Sequence, residues 1–283
     1  MRFLPNIRQA NPSLALTLAA AVLLTLACGN ATGDPAGDAE GRDSEMSQSA
    51  SSSNRGGTAA WDRVLRAHAA DGGIDYAALQ KDTGDLETYL DYVAATDPAS
   101  MSEDGRLAFL TNAYNAYVVS AVLDRYPGIE SVKDVDGFFD AETHQVGGEA
   151  MTLDAIEGAA REIDPRVHFT VVCASTSCPD LRGEAYTGGR VDEQFEEQTQ
   201  AFLSDPTKGL RYDAEANDLY LSSIFKWYAQ DFTGGSRVVA FFARGGILEW
   251  VVEHLADEEL AATLEEREPS VKYMEYDWTL NDR

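Results

Sequence analysis

The apolar positions of this chain fall into recognisable spacings from Ala59 onward. Trp61, Val64 and Leu65 recur at helical spacing, and the turn Asp71-Gly72-Gly73 then leads into Ile74-Asp75-Tyr76. Leu86 to Ala94 predicts a helix. Glu103 to Leu123 predicts a longer one, apolar on nearly all faces from Leu107 to Val122, as a central buried helix would be. Tyr126-Pro127-Gly128 stops it. Gln145 to Leu153, around Gly147-Gly148, predicts a hairpin that hands over to a helix from Asp154, which Pro165 ends. Val167 to Ala174 is β-branched and apolar and predicts an internal strand, after which a glycine-rich loop leads into a helix from Val191 to Leu203. Leu210 to Tyr212 and Leu219 to Leu221 predict a second hairpin. Helical patterns follow at Ser223 to Gln230, Ser236 to Ala243 and Leu248 to Arg267, and the alternating Val271, Tyr273, Glu275 closes the set. With no internal repeat and no second boundary, residues 59–283 are expected to form one α+β domain. Helices outnumber strands, and a small mainly antiparallel sheet holds the His168 strand near its centre.

Upstream the pattern changes. Arg2 and Arg8 precede an uncharged apolar run from Ser13 to Ala27, too short to span a membrane and stay there. It ends in Leu24-Thr25-Leu26-Ala27-Cys28-Gly29, which looks like the box at which bacterial lipoproteins are cleaved and acylated. Residues 1–28 are therefore expected to be a signal peptide with a lipid-bearing Cys28, holding the protein at a membrane without spanning it. Thr25 stands where such boxes usually carry Leu, so cleavage near Ala27 to a secreted soluble protein remains the alternative. Residues 29–58 have almost no large apolar side chain and are expected to be a flexible tether. No Asp follows Cys28 directly, which points toward the periplasmic face of the outer membrane.

Composition sharpens this picture. A 44% hydrophobic, 10% aromatic chain can build a real core, and a net charge of −26 repels polyanions, so nucleic acid is not an expected partner. The expected partners are the membrane, through the N-terminal lipid, and an unknown envelope ligand or protein.

The reactive residue types concentrate in His168 to Pro179. Cys178 before Pro179 has the arrangement of a helix N-cap, where a thiolate is stabilised. His168 and Cys173, five positions apart, would face opposite sides of a regular strand. Once Cys28 is acylated, Cys173 and Cys178 remain as a pair in an oxidising compartment. Three readings are open: a disulfide, two inert thiols, or a catalytic Cys178 with His168 as base and an amide such as Asn115 orienting the ring. Asn112 and Asn115 share one helix face and must find partners, either in a structural network or at the floor of a ligand site. Trp227 and Asp231, at i and i+4, would share a face, and Asp277 lies in an aromatic tail, Tyr276 to Asn281, expected to dock on the domain. His68, His144, His168 and His254 are scattered without ligand spacing, so neither a metal nor a cofactor is implied.

These segments together resemble the domain of unknown function 547 family over nearly the whole of Trp61 to Asn281. The resemblance rests on Leu107-Ala108-Phe109, Asn112-Ala113-Tyr114-Asn115-Ala116, Leu153 to Glu157, His168-Phe169, Cys173-Ala174-Ser175, Ser177-Cys178-Pro179, Ile224 to Tyr228, Asp231-Phe232 and Tyr276-Asp277-Trp278. It implies an exported protein or lipoprotein with no assigned activity. Where the family reads Ile-Glu-His, this chain has Ile156-Glu157-Gly158, so any role of that histidine is lost here. Two functions follow as expectations. One is a non-catalytic envelope module that binds a ligand or partner; the other is a thiol-dependent hydrolase or acyl transferase using Cys178 and His168.

Overall fold

A computed structural model describes residues 57–233 and 244–283. The expected signal peptide, Cys28, the tether up to residue 56 and the expected helix from Ser236 to Ala243 lie outside the described residues. The first helix, α1, occupies residues 57–68 and so already runs two residues before the predicted domain start.

The chain folds as a helix-rich α+β domain. Its centre is α4 (Glu103–Leu123), which starts where the Ser102 hydroxyl accepts from the Gly105 N–H and which is buried on nearly every face from Leu107 to Leu123. Around it pack α3 (Gly84–Ala95), α5 (Leu153–Arg161) and α6 (Val191–Leu203), and α2 (Tyr76–Leu79) adds Tyr76 and Leu79 to the same apolar cluster. Two short antiparallel pairs edge this core: β1 (Ala69–Ala70) with β2 (Gly73–Ile74), and β3 (Thr143–Val146) with β4 (Glu149–Thr152). Gly147 and Gly148 take positive φ in the β3–β4 turn, as a two-residue hairpin connection requires. The largest sheet joins β5 (Leu210–Asp213) antiparallel to β6 (Asp218–Leu221), and β6 parallel to β7 (Ser270–Tyr273). It carries a second apolar cluster of Phe169, Phe202, Phe225 and Phe232, with Trp250 packed against them.

Several expectations are corrected. No strand runs from Val167 to Ala174: Pro165–Phe169 is a 3-10 helix, and the residues after it are irregular. Asp164 caps that turn by accepting from the Arg166 N–H, with Pro165 in the first helical position. Beyond it, Asn115 bonds both the Thr170 carbonyl and the Val172 N–H, taking the place of a neighbouring strand. The sheet therefore does not hold His168. No helix starts at Pro179, so Cys178 is not at a helix N-terminus. The pattern from Leu248 to Arg267 is two helices, α8 (Arg244–His254) and α9 (Glu258–Arg267), because Asp257 caps the second through the N–H groups of Glu259 and Leu260. The pattern from Ser223 to Gln230 shortens to α7 (Ile224–Trp227). Asp231 lies beyond its end and does not share a helix face with Trp227.

Candidate functional site

His168 ends up buried between the two apolar clusters, in the 3-10 turn after α5. Its Nε2 lies 2.9 Å from Asp231 Oδ2, and its Nδ1 lies 3.4 Å from Glu157 Oε1. A ring with one proton can donate from only one nitrogen. Nε2 is the nitrogen within hydrogen-bond reach of a carboxylate, and Nδ1 faces Glu157 at the longer distance. The ring also packs on Tyr228, with centroids 4.0 Å apart, and on Phe232 at 5.4 Å.

The acids are held in turn. Glu157, on α5, is buried, and one helical turn later Arg161 reaches Asp231 at 3.1 Å while its guanidinium sits 5.1 Å from the Tyr228 ring centre. Hydrogen bonding from His168, and then the charge of Arg161, hold the Asp231 carboxyl below its usual range against the effect of burial. Burial pushes the Tyr114 phenol well up, and the negative charge of Glu157 adds to this. The result is a dense, partnered polar network at the seam between two apolar clusters.

Asn115 does not complete this network. Its amide donates to the Thr170 carbonyl at 2.9 Å and accepts from the Val172 N–H at 2.8 Å, which fixes the chain between His168 and Cys173. The group orienting the imidazole is Asp231. Asn112 makes the matching clamp on Tyr186, donating to its carbonyl and accepting from its N–H. It also lines a surface cleft of about 620 Å³ with Phe109, Glu184 and Arg190. Another cleft, of about 430 Å³, is bordered by Arg63, His68 and Asp85, and neither is lined by His168, Cys173 or Cys178.

The sulfurs of Cys173 and Cys178 are joined as a disulfide, and Ala174 within the loop takes a φ of 58°. Cys178 is buried and Cys173 partly so. Tyr276, from the C-terminal tail, places its hydroxyl 3.4 Å from Cys178 Sγ and 3.3 Å from Cys173 Sγ, and burial pushes this phenol up to about 12, so it stays a donor. The tail runs along the loop. Ser177 N–H donates to the Asp277 carbonyl, Asp277 N–H to Ser177 Oγ, Thr176 N–H to the Thr279 carbonyl and Asn281 N–H to the Ala174 carbonyl. Asp277 itself is exposed and stands outside the buried network, its carboxylate accepting from the Thr279 N–H.

The structure thus brings His168 and Asp231 together and joins Cys173 to Cys178, while Asn112, Asn115, Trp227 and Asp277 serve other contacts. Sequence reasoning missed the roles of Glu157 and Arg161 on either side of His168 and Asp231. Their i, i+4 spacing on a predicted helix was the available signal. Gly158, between them in sequence, faces open space where a side chain would begin.

Residues 98–203 match the family model described as protein of unknown function, DUF547, which makes this stretch similar to that family. The match takes in α4, Glu157, His168 and both cysteines; Asp231 and Tyr276, which complete their contacts, lie beyond it. No curated protein and no solved structure matches the chain.

Proposed function

We propose that this chain is an exported envelope protein, tethered through a lipid on Cys28, whose domain is a non-catalytic binding or structural module. What carries this reading is that the two cysteines from which a nucleophile would have to come are bonded to each other. The His168 ring faces Asp231 and Glu157, whereas the polar neighbours of the two sulfurs are the Cys173 N–H, Ser175 and Tyr276. Asn112, Asn115, His168 and Asp231 each have hydrogen-bond partners within the fold, as a scaffold requires. No described helix is long and apolar enough to cross a membrane.

The test is a thiol count by mass-resolved alkylation of the native and then the reduced protein across a pH series. Alkylation of Cys173 and Cys178 only after reduction supports the module. Selective labelling of native Cys178 would instead favour a thiol-dependent hydrolase or acyl transferase, in which the Cys173 N–H and the Tyr276 hydroxyl, both directed at Cys178 Sγ, would steady the thiolate. The anchor is tested separately: Cys28→Ser should release the protein from the membrane fraction, and mass spectrometry of the wild-type N-terminus should find acyl chains on Cys28.

A further inference from the structure

Among the described residues Trp227 is the large hydrophobic side chain left exposed, at 48%. It is not a loose surface group. Its ring stacks at 25° on Trp278, with centroids 5.9 Å apart, and leans on Tyr276 at 4.9 Å, while Tyr276 and Trp278 pack on each other at 4.7 Å. The segment bearing those two rings is pinned along the disulfide loop, and Ser131 Oγ donates to the Trp278 carbonyl. The exposed indole is therefore a preorganised flat surface, whose ordering entropy is already lost before any ligand arrives.

Its surroundings are polar and of both signs. Lys226 precedes it and is exposed, Lys133 Nζ sits 5.0 Å from the Trp278 ring centre, and Asp277 and Thr279 are exposed between and beside the rings. The core of a protein–protein interface is depleted of charge and gathers several apolar anchors, whereas here one exposed indole stands within a charged rim. An anionic membrane surface or a nucleic acid meets a chain of net charge −26. The ligand that suits a rigid aromatic face with donors and acceptors at its edge, on a strongly acidic protein, is neutral and polyhydroxylated. The weakly positive C–H face of a sugar ring lies on the negative π face, and its hydroxyls reach the rim.

We propose that the Trp227, Tyr276 and Trp278 platform binds a neutral glycan chain, with Trp227 as the stacking residue. This rests on the module reading above and supplies its ligand class.

The experiment titrates the full chain in detergent with a soluble beta-linked N-acetylglucosamine oligosaccharide, using tryptophan emission and calorimetry, with a uronate oligosaccharide as the anionic counterpart. Saturable binding of the neutral sugar is expected, together with weaker binding of the uronate. Trp227→Ala should keep the wild-type circular dichroism and weaken binding by about tenfold or more, and Trp227→Phe should fall between the two. A wild-type protein blind to the neutral sugar at millimolar concentration, or a Trp227→Ala variant that binds it equally well, overturns the proposal. So does Trp227-dependent binding to phosphatidylglycerol vesicles or Trp227-dependent self-association in place of sugar binding. The sugar titration decides this proposal and the thiol count decides the module reading, so either can fall without the other.

Discussion

Asp231 ties two parts of the network together, because one carboxylate oxygen meets both His168 Nε2 and Arg161 Nη1. Its folded pKa is depressed, so the stability it contributes is fully present above the unfolded carboxyl value of about 3.9 and is lost as pH falls through the lower folded value. Asp231→Asn keeps the shape and removes the charge. It is expected to cost about 1.5–3 kcal/mol at neutral pH, the usual worth of a hydrogen bond to a charged group. Urea midpoints of wild type and variant should converge as the pH is lowered toward strong acid. A gap between them that stays constant with pH would mean that the charge of Asp231 contributes nothing.

The elements show why part of this fold was legible and part was not. The helices Glu103–Leu123 and Val191–Leu203 follow from local pattern, the first bounded by the Ser102 cap and the Pro127 stop and the second without a side-chain cap, and the structure places both at the predicted residues. Val167 to Ala174 carries an equally apolar pattern, yet burial alone does not say which groups satisfy the backbone. Here the partner is Asn115, whose contacts lie 55 and 57 residues away in sequence. The same limit hid the site: Glu157 and Arg161 advertise each other by spacing, but the meeting of Tyr276 with Cys178 spans 98 residues. The importance of the clamp can be measured. Asn115→Ala leaves the Thr170 carbonyl and the Val172 N–H buried without that partner, an expected loss of about 1–3 kcal/mol for each group. Hydrogen exchange should show the Val172 amide losing protection before amides of α4 do, and continued protection there would assign the clamp a lesser role.

At the scale of the whole molecule, the disulfide and the tail act as one clasp. The tail reaches back to the N-terminal part of the domain through Ile74 and Asp282, joins the loop through Ser175 and Leu280, and meets the segment that follows α4 where Leu280 N–H donates to the Glu130 carbonyl. The disulfide closes a loop of sequence separation 5, so by loop-closure entropy it contributes about 2 kcal/mol. Its larger effect is local, since the groups that receive the tail, from Ala174 to Cys178, are the residues it constrains. Reduction, or the double variant Cys173→Ser with Cys178→Ser, should lower the urea midpoint by that modest amount. It should also speed hydrogen exchange at Asp277, Leu280 and Asn281 far more than at the amides of α4, as a local opening does. Uniform acceleration across the domain would instead make the bridge a determinant of global stability. A tail that keeps its protection after reduction would show that its backbone bonds to the loop hold without the bridge, leaving the sulfurs as passengers on a clasp made by Ser177, Asp277 and Thr279.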